Sequence, residues 1–86
     1  MLDKNDFREL ERLYNEGLHP VELSDKFRIN RRTLDRYIEH IHKKKIMEKK
    51  VNGEVINRNE FPVRRETFDR YMYEVEELIY EIRRGL

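Results

Sequence analysis

Apolar residues recur at helical spacing near the start of the chain. They lie three or four positions apart, on one face of a helix that we predict from about residue 6 to residue 16. The apolar positions are Phe7, Leu10, Leu13 and Tyr14. Asp3 or Asn5 is suited to cap the first turn, and Gly17 is suited to the left-handed position that follows a helix end.

Two more helices are predicted next. One runs from about Pro20 to Phe27, because proline fits the first helical turn, where its missing N–H would have no partner. The other begins after Asn30, whose side chain can accept a hydrogen bond from the first turn. Its buried stripe comprises Leu34, Tyr37, Ile38 and Ile41. We expect this helix to fray over residues 42–45.

Residues 46–62 carry the least regular pattern. Asn52 and Gly53 stand between the β-branched Val51 and Val55, which is typical of the tight turn of a β-hairpin. The flanking segments are short and polar. A short hairpin and an irregular connection therefore both fit this linker.

A long amphipathic helix is predicted after Pro62, from about residue 64 to residue 84. Its apolar positions step by four, three, four and three residues, the spacing of a coiled coil. This heptad seam comprises Phe68, Met72, Val75, Ile79 and Ile82, with Leu86 one step further. The seam either pairs two copies of the chain or packs back onto the first and third helices of its own chain.

These elements predict an all-α chain. A three-helix domain covers residues 1–45, a linker or short hairpin covers 46–62, and the C-terminal helix covers 63–86. Apolar residues make up 37% of the chain and charged residues 43%, which suits a small domain or one whose core a second copy completes. No cysteine is present, so disulfides are excluded. The chain shows neither a signal peptide nor a membrane-length apolar run, so we expect a cytoplasmic protein with no membrane partner.

The charges are strongly segregated along the chain. Residues 1–25 hold three basic and seven acidic side chains, residues 26–50 hold ten basic and three acidic, and residues 51–86 hold six basic and eight acidic. A basic block between acidic flanks is typical of a surface that binds a polyanion. The alternative is a solvated helix face that happens to be basic.

Residues 19–42 meet the requirements of a helix-turn-helix, in which two short helices are joined by a tight turn and braced by a third. Leu23 and Phe27 give the first helix an apolar inner face, and Ile29 fills the turn. Leu34 and Ile38, four residues apart, give the second helix its apolar inner face. That helix needs a basic outer face to enter the DNA major groove. Its outward positions are Arg31, Arg32, Thr33, Asp35 and Arg36.

Residues 13–38 resemble the homeodomain-like helix-turn-helix of prokaryotic DNA-binding proteins. The most specific run is Ile29-Asn30-Arg31-Arg32-Thr33-Leu34. The likeness is nearest to the DNA-binding tail of DNA invertases and resolvases, and to small phage and bacterial repressors. It implies that Ser24 lies where the two helices touch and that Arg28 takes a turn position usually held by glycine. Because the left-handed conformation is costly for arginine, we expect the turn to be slightly longer or differently shaped.

Groove chemistry assigns roles within this motif. Arginine forms bidentate contacts to guanine, while most protein–DNA contacts go to phosphate. Arg31, Arg32 and Arg36 are therefore candidates for guanine contacts, with at least one on phosphate. Thr33 suits a thymine methyl or a phosphate, and Asn30 either contacts DNA or only caps its helix.

Further candidates would contact the DNA backbone alone. His19 and the first amides of its helix suit a phosphate. The lysines that follow the motif suit phosphates without reading sequence, although a solvated cationic tail is the rival interpretation. They are Lys43, Lys44, Lys45, Lys49 and Lys50.

No residue pattern points to catalysis. His40 and His42 are two apart, which places them on different helix faces, so we expect no metal site. Ser24 is the only serine and the three glycines are isolated, so neither a triad nor a phosphate loop is indicated. We expect no enzyme and no cofactor.

The sequence thus predicts a homodimeric protein that binds double-stranded DNA sequence-specifically. Such a protein would serve as a transcriptional regulator or as an accessory factor of a phage or plasmid. The alternative is a protein-interaction module whose C-terminal amphipathic helix binds a regulator or a polymerase subunit.

A weak internal sequence repeat adds a third possible function, a second DNA-binding motif. Residues 33–38 reappear as residues 67–72 with Thr, Asp, Arg and Tyr in the same places. A second, degenerate helix-turn-helix over residues 54–76 would bring Arg64, Arg65 and Arg70 to DNA. Coincidence between two amphipathic helix starts explains the same repeat.

Overall fold

The computed structural model describes residues 2–85, and over that range the chain is helical without a β-strand. The all-α prediction is therefore confirmed. The elements are α1 (Lys4–Asn15), α2 (Pro20–Phe27), α3 (Arg31–Val51), a short 3-10 turn (Arg58–Glu60) and α4 (Arg65–Arg84). None of the described helices carries an apolar stretch that could cross a bilayer.

The bounds of α1 and the start of α3 are set by residues whose chemistry predicts them. The side chain of Asp3 accepts a hydrogen bond from the amide of Asp6 at 2.8 Å and caps α1. Gly17 follows α1 with a φ of +100°, a conformation that favours glycine. The side chain of Asn30 accepts from the amide of Thr33 at 2.8 Å and caps α3.

The connection from α2 to α3 is built around one left-handed residue. Arg28 has φ 53° and ψ 44°, so it adopts the left-handed conformation that glycine would take at this position. Ser24 then closes the turn, because its hydroxyl donates to the carbonyl of Ile29 at 2.5 Å and its own carbonyl accepts from the Ile29 amide at 3.1 Å. The resemblance gave Ser24 a packing role, and the structure adds these hydrogen bonds.

Helix α3 is longer than predicted. It does not fray over residues 42–45 but continues to Val51, because Ile46 is buried and keeps the helix packed. The hairpin alternative is wrong within the described residues. Gly53 has a φ of +73°, and the amide of Glu54 donates to the carbonyl of Lys49 at 2.8 Å. The Asn-Gly pair therefore ends a helix, since these bonds satisfy its last carbonyls.

The chain divides into two compact units, with the boundary inside α3 between Ile41 and His42. The sequence had placed the division at the linker 46–62. In the first unit, each of the three helices contributes to one buried cluster. It comprises Leu10 of α1, Leu23 of α2, and Leu34 and Ile41 of α3.

The second unit has its own core, made by the C-terminal half of α3, the 3-10 segment and α4. Its buried members are Ile46, Phe61, Phe68, Tyr71 and Val75. Phe68 and Val75 belong to the heptad seam, and two other seam residues, Met72 and Ile79, pack partly buried against this core. Most of the seam therefore packs on its own chain. Ile82 is 52% exposed, and Leu86 lies outside the described residues.

A histidine is buried in this second core. His42 is 3% exposed and lies edge-on to the ring of Phe61, with a centroid separation of 5.6 Å. The ring of Tyr71 lies 5.9 Å away on the same measure. Burial, aided by the positive charge of Lys45, lowers the pKa of His42 from 6.5 to about 4.

Replacing Arg28 with glycine should stabilise the first unit. Glycine adopts a φ of 53° without the steric penalty that arginine meets, so we expect Arg28→Gly to raise the free energy of unfolding by about 1 kcal/mol. Urea denaturation followed by circular dichroism measures this. The control is Arg8→Gly in the exposed face of α1, which should lower the same free energy by about 1 kcal/mol. A loss at both positions would contradict the left-handed turn.

The buried His42 should make the protein less stable in mild acid. The unfolded chain binds a proton near pH 6.5 and the folded chain only near pH 4, so stability is full above 6.5 and falls as the pH drops towards 4. Between about pH 7 and about pH 5 we expect a loss of about 2 kcal/mol in urea unfolding. His42→Phe should lose most of this dependence, whereas His40→Phe, at an exposed position, should retain it. An unchanged pH profile in His42→Phe would contradict the assignment.

Candidate nucleic-acid interface

In the first turns of α3, the burial of Leu34 decides which side chains face outward. Leu34 is fully buried, and Arg32 and Arg36 stand two positions before and after it. Two positions correspond to about 200° of helical rotation, so both arginines point away from the core. They lie four apart and therefore share one face.

Arg32 and Arg36 are exposed, and neither forms an ion pair with any residue between 2 and 85. Arg31 differs, because its Nε lies 2.9 Å from the carboxylate of Asp35. Both partners of that pair are more than half exposed, so the pair is weak and the guanidinium remains accessible. Within the described part of the chain, α3 thus holds two guanidinium groups side by side without a carboxylate partner.

Of the three polar candidates in the motif, two cap helices and the third is half-buried. The side-chain oxygen of Asn30 is used to cap α3, as described above, and Thr33 is half-buried. His19 caps α2, since its Nδ1 accepts from the amide of Val21 at 3.1 Å. That bond occupies one of the amides that a phosphate at this helix end would use.

The candidate lysines lie in the second unit, where most are bound to their own chain. Lys43 forms an ion pair with Glu74, and the ammonium of Lys45 lies 5.5 Å from the ring centroid of Phe61. Lys44 is the exposed member of the three. Two further pairs are Lys49 with Glu60 at 3.1 Å and Lys50 with Glu76 at 2.8 Å. Carboxylates of α4 and of the 3-10 turn therefore neutralise much of the lysine cluster.

A groove beside the arginine face was not predicted from the sequence. It is lined by Phe7, Thr33, Arg36, Tyr37 and His40. Tyr37 is half-buried in the first core, as expected, and its hydroxyl accepts from the amide of Leu2 at 3.3 Å. No sequence spacing signals this groove, because it depends on where α1 meets α3.

The internal repeat extends to the structure. Helices α3 and α4 begin at the equivalent arginines, Arg31 and Arg65, and each arginine pairs with an aspartate four positions on. The outward face is not repeated. Glu66 stands where Arg32 stands in the first copy, and the guanidinium of Arg70 lies 5.5 Å from its neighbouring Tyr71 ring. Among the described residues, the repeated segment at the start of α4 therefore has no counterpart of the exposed pair Arg32 and Arg36.

Within residues 2–85 no three His, Asp or Glu side chains are grouped so that they could hold a metal ion.

Comparison with models of protein families, with curated proteins and with solved structures finds no match for this chain.

Proposed function

We propose that this chain binds double-stranded DNA through a helix-turn-helix made of α2, the turn Arg28–Asn30 and the first turns of α3. The supporting architecture is a short helix, a tight turn and a longer helix, held by the burial of Leu23 and Leu34 against Leu10 of α1. In this motif the second helix enters the major groove with its outward face towards the bases.

The observation that carries the proposal is that Arg32 and Arg36 lie together on the outward face of α3, without a carboxylate partner among the described residues. Arg83 and Arg84 also have no carboxylate partner in the described chain, so the place of Arg32 and Arg36 on the second helix of the motif distinguishes them, and not the unpaired state alone. Arginine that is exposed, rigidly based on a helix and free of carboxylates suits bidentate contact with guanine or phosphate. Arg31 and Thr33 flank the pair as further contacts, with His19 and Lys44 on the backbone.

In this proposal the protein acts as a transcriptional regulator or as an accessory factor of a phage or plasmid. Two copies would pair through the part of α4 that its own unit leaves uncovered. Leu78 and Ile82 are 46% and 52% exposed and lie four apart on one face. A dimer would present two copies of α3 to a near-palindromic site, with half-sites about one DNA turn apart.

A second candidate function is favoured by another face of α4. Tyr73 and Tyr80 are 65% and 62% exposed, and their spacing of seven puts them on one face of the helix. Exposed aromatic residues are enriched where proteins contact each other. We therefore keep a role for α4 in binding a protein partner, such as another regulator or a polymerase subunit.

The DNA-binding proposal predicts a salt-dependent affinity that depends on α3. We expect binding to random duplex DNA to weaken steeply with salt, because arginine contacts release counterions. Replacing Arg32 and Arg36 together with alanine should weaken binding at least about tenfold and flatten the salt slope by about one to two units. Fluorescence anisotropy across a salt series measures both.

The control removes the same charge from another place. Arg83 and Arg84 lie exposed in the last turn of α4, so their double alanine variant has the same net charge as the α3 variant. It should keep wild-type affinity. Equal losses in the two variants would show a general charge effect, and no binding by the wild-type chain at low salt would end the proposal.

The dimer is tested by sedimentation equilibrium. Placing glutamate at Leu78 and Ile82 should shift the protein to monomer, because each apolar side chain lost from the interface removes about 1.5–3 kcal/mol. We expect the dimer to weaken at least about a hundredfold. The matched control carries glutamate at Tyr73 and Tyr80 on the other face and should remain dimeric. A wild-type chain that stays monomeric at high concentration would contradict self-pairing.

A further inference from the structure

The groove on the first unit is walled by aromatic rings. The ring of Phe7 lies 5.6 Å from that of Tyr37, tilted by 54°, and 5.5 Å from that of His40, close to edge-on at 71°. These three side chains come from α1 and from two turns of α3, so the two helices hold them in place. Tilted rings at this spacing leave faces and edges against which another planar ring can pack.

The polar groups of the groove can donate hydrogen bonds to an anion. Arg36 brings a guanidinium without a carboxylate partner among the described residues, and Thr33 brings a hydroxyl one turn earlier. None of the described residues that line the groove is acidic. A planar guanidinium binds a carboxylate with two parallel hydrogen bonds. The groove therefore complements an anion that is attached to an aromatic ring.

We propose that this groove binds a small aromatic carboxylate. The ring of the ligand packs against Phe7, Tyr37 and His40, and its carboxylate pairs with Arg36. This assigns a ligand site next to the DNA-facing side of α3, with which it shares Arg36 and Thr33.

Arg36, one of the two shared residues, gives the site a regulatory consequence, which rests on the proposed DNA-binding function. A guanidinium that holds a ligand carboxylate is not available for guanine or phosphate. Occupation of the groove should therefore weaken DNA binding, by up to the effect of losing Arg36. The protein would then respond to an aromatic acid as an effector.

Benzoate is a suitable probe because it has only the two features that the groove complements. We expect saturable binding with a dissociation constant on the order of 1 mM, given its few atoms. Backbone amide shifts of the isotope-labelled full chain should change around residues 7, 33, 36, 37 and 40. Benzyl alcohol, which keeps the ring, and acetate, which keeps the carboxylate, should each bind at least about tenfold more weakly.

Variants at exposed positions test the contacts without disturbing the core. Arg36→Gln should weaken benzoate about tenfold and His40→Ala by a smaller factor. Arg32→Gln, which removes the same charge outside the groove, should leave benzoate affinity unchanged. Equal weakening by Arg32→Gln, equal binding of benzyl alcohol, or no saturable benzoate binding would each overturn the site.

A second titration separates this inference from the DNA proposal. If benzoate binds the groove and also weakens duplex binding, both stand. If benzoate binds but the chain binds no duplex, the ligand site stands and the DNA function fails. If the groove amides respond to duplex DNA and not to benzoate, the occupant of the groove is DNA and the ligand site is overturned. Binding of benzoate with unchanged DNA affinity would overturn the regulatory consequence.

Discussion

The arrangement of the first unit depends on the packing of Leu34 in its core. Leu34 packs with Leu10 of α1 and Leu23 of α2, and this fixes the rotation of α3 about its own axis. Because a helix repeats every 3.6 residues, burying Leu34 forces Arg32 and Arg36 outward. The same contact that stabilises the domain therefore selects the residues that can face a nucleic acid. An apolar core and a cationic surface are two consequences of one periodicity.

The fold leaves some positive charges without a partner in the described chain and pairs others with carboxylates. In the first unit, Arg32 and Arg36 stand without carboxylate partners in the described chain. In the second, lysines of α3 pair with carboxylates of α4 and of the 3-10 turn, so a basic stretch of sequence becomes a largely neutralised surface. Charge counted along the sequence thus overstates the cationic surface. What matters for binding a polyanion is which cations remain unpaired after folding.

Much of the first unit could be predicted from the sequence, because local chemistry fixes it. The caps at Asp3 and Asn30 and the stop at Gly17 are single-residue preferences, and the buried leucines follow from helical spacing. In the second unit α4 could be predicted in this way, because its apolar spacing indicates residues 64–84 and the helix spans Arg65–Arg84, but the end of α3 and the linker could not. The Asn-Gly pair favours a hairpin turn and a helix end alike, and only the burial of Ile46, a long-range contact, selects the helix. The heptad seam is likewise ambiguous, since Phe68 and Val75 fit a partner chain or their own core equally well. The groove beside α3 depends on the packing of two helices, which no spacing encodes.

The most direct measurement is the set of amide shift changes when the isotope-labelled chain is titrated with duplex DNA at low salt. We predict that the largest changes fall between residues 28 and 36, on the turn and the first turns of α3, and that they vanish in the Arg32→Ala, Arg36→Ala double variant. Changes confined to α4, or the same changes in the double variant, would contradict a DNA-binding face set by the burial of Leu34.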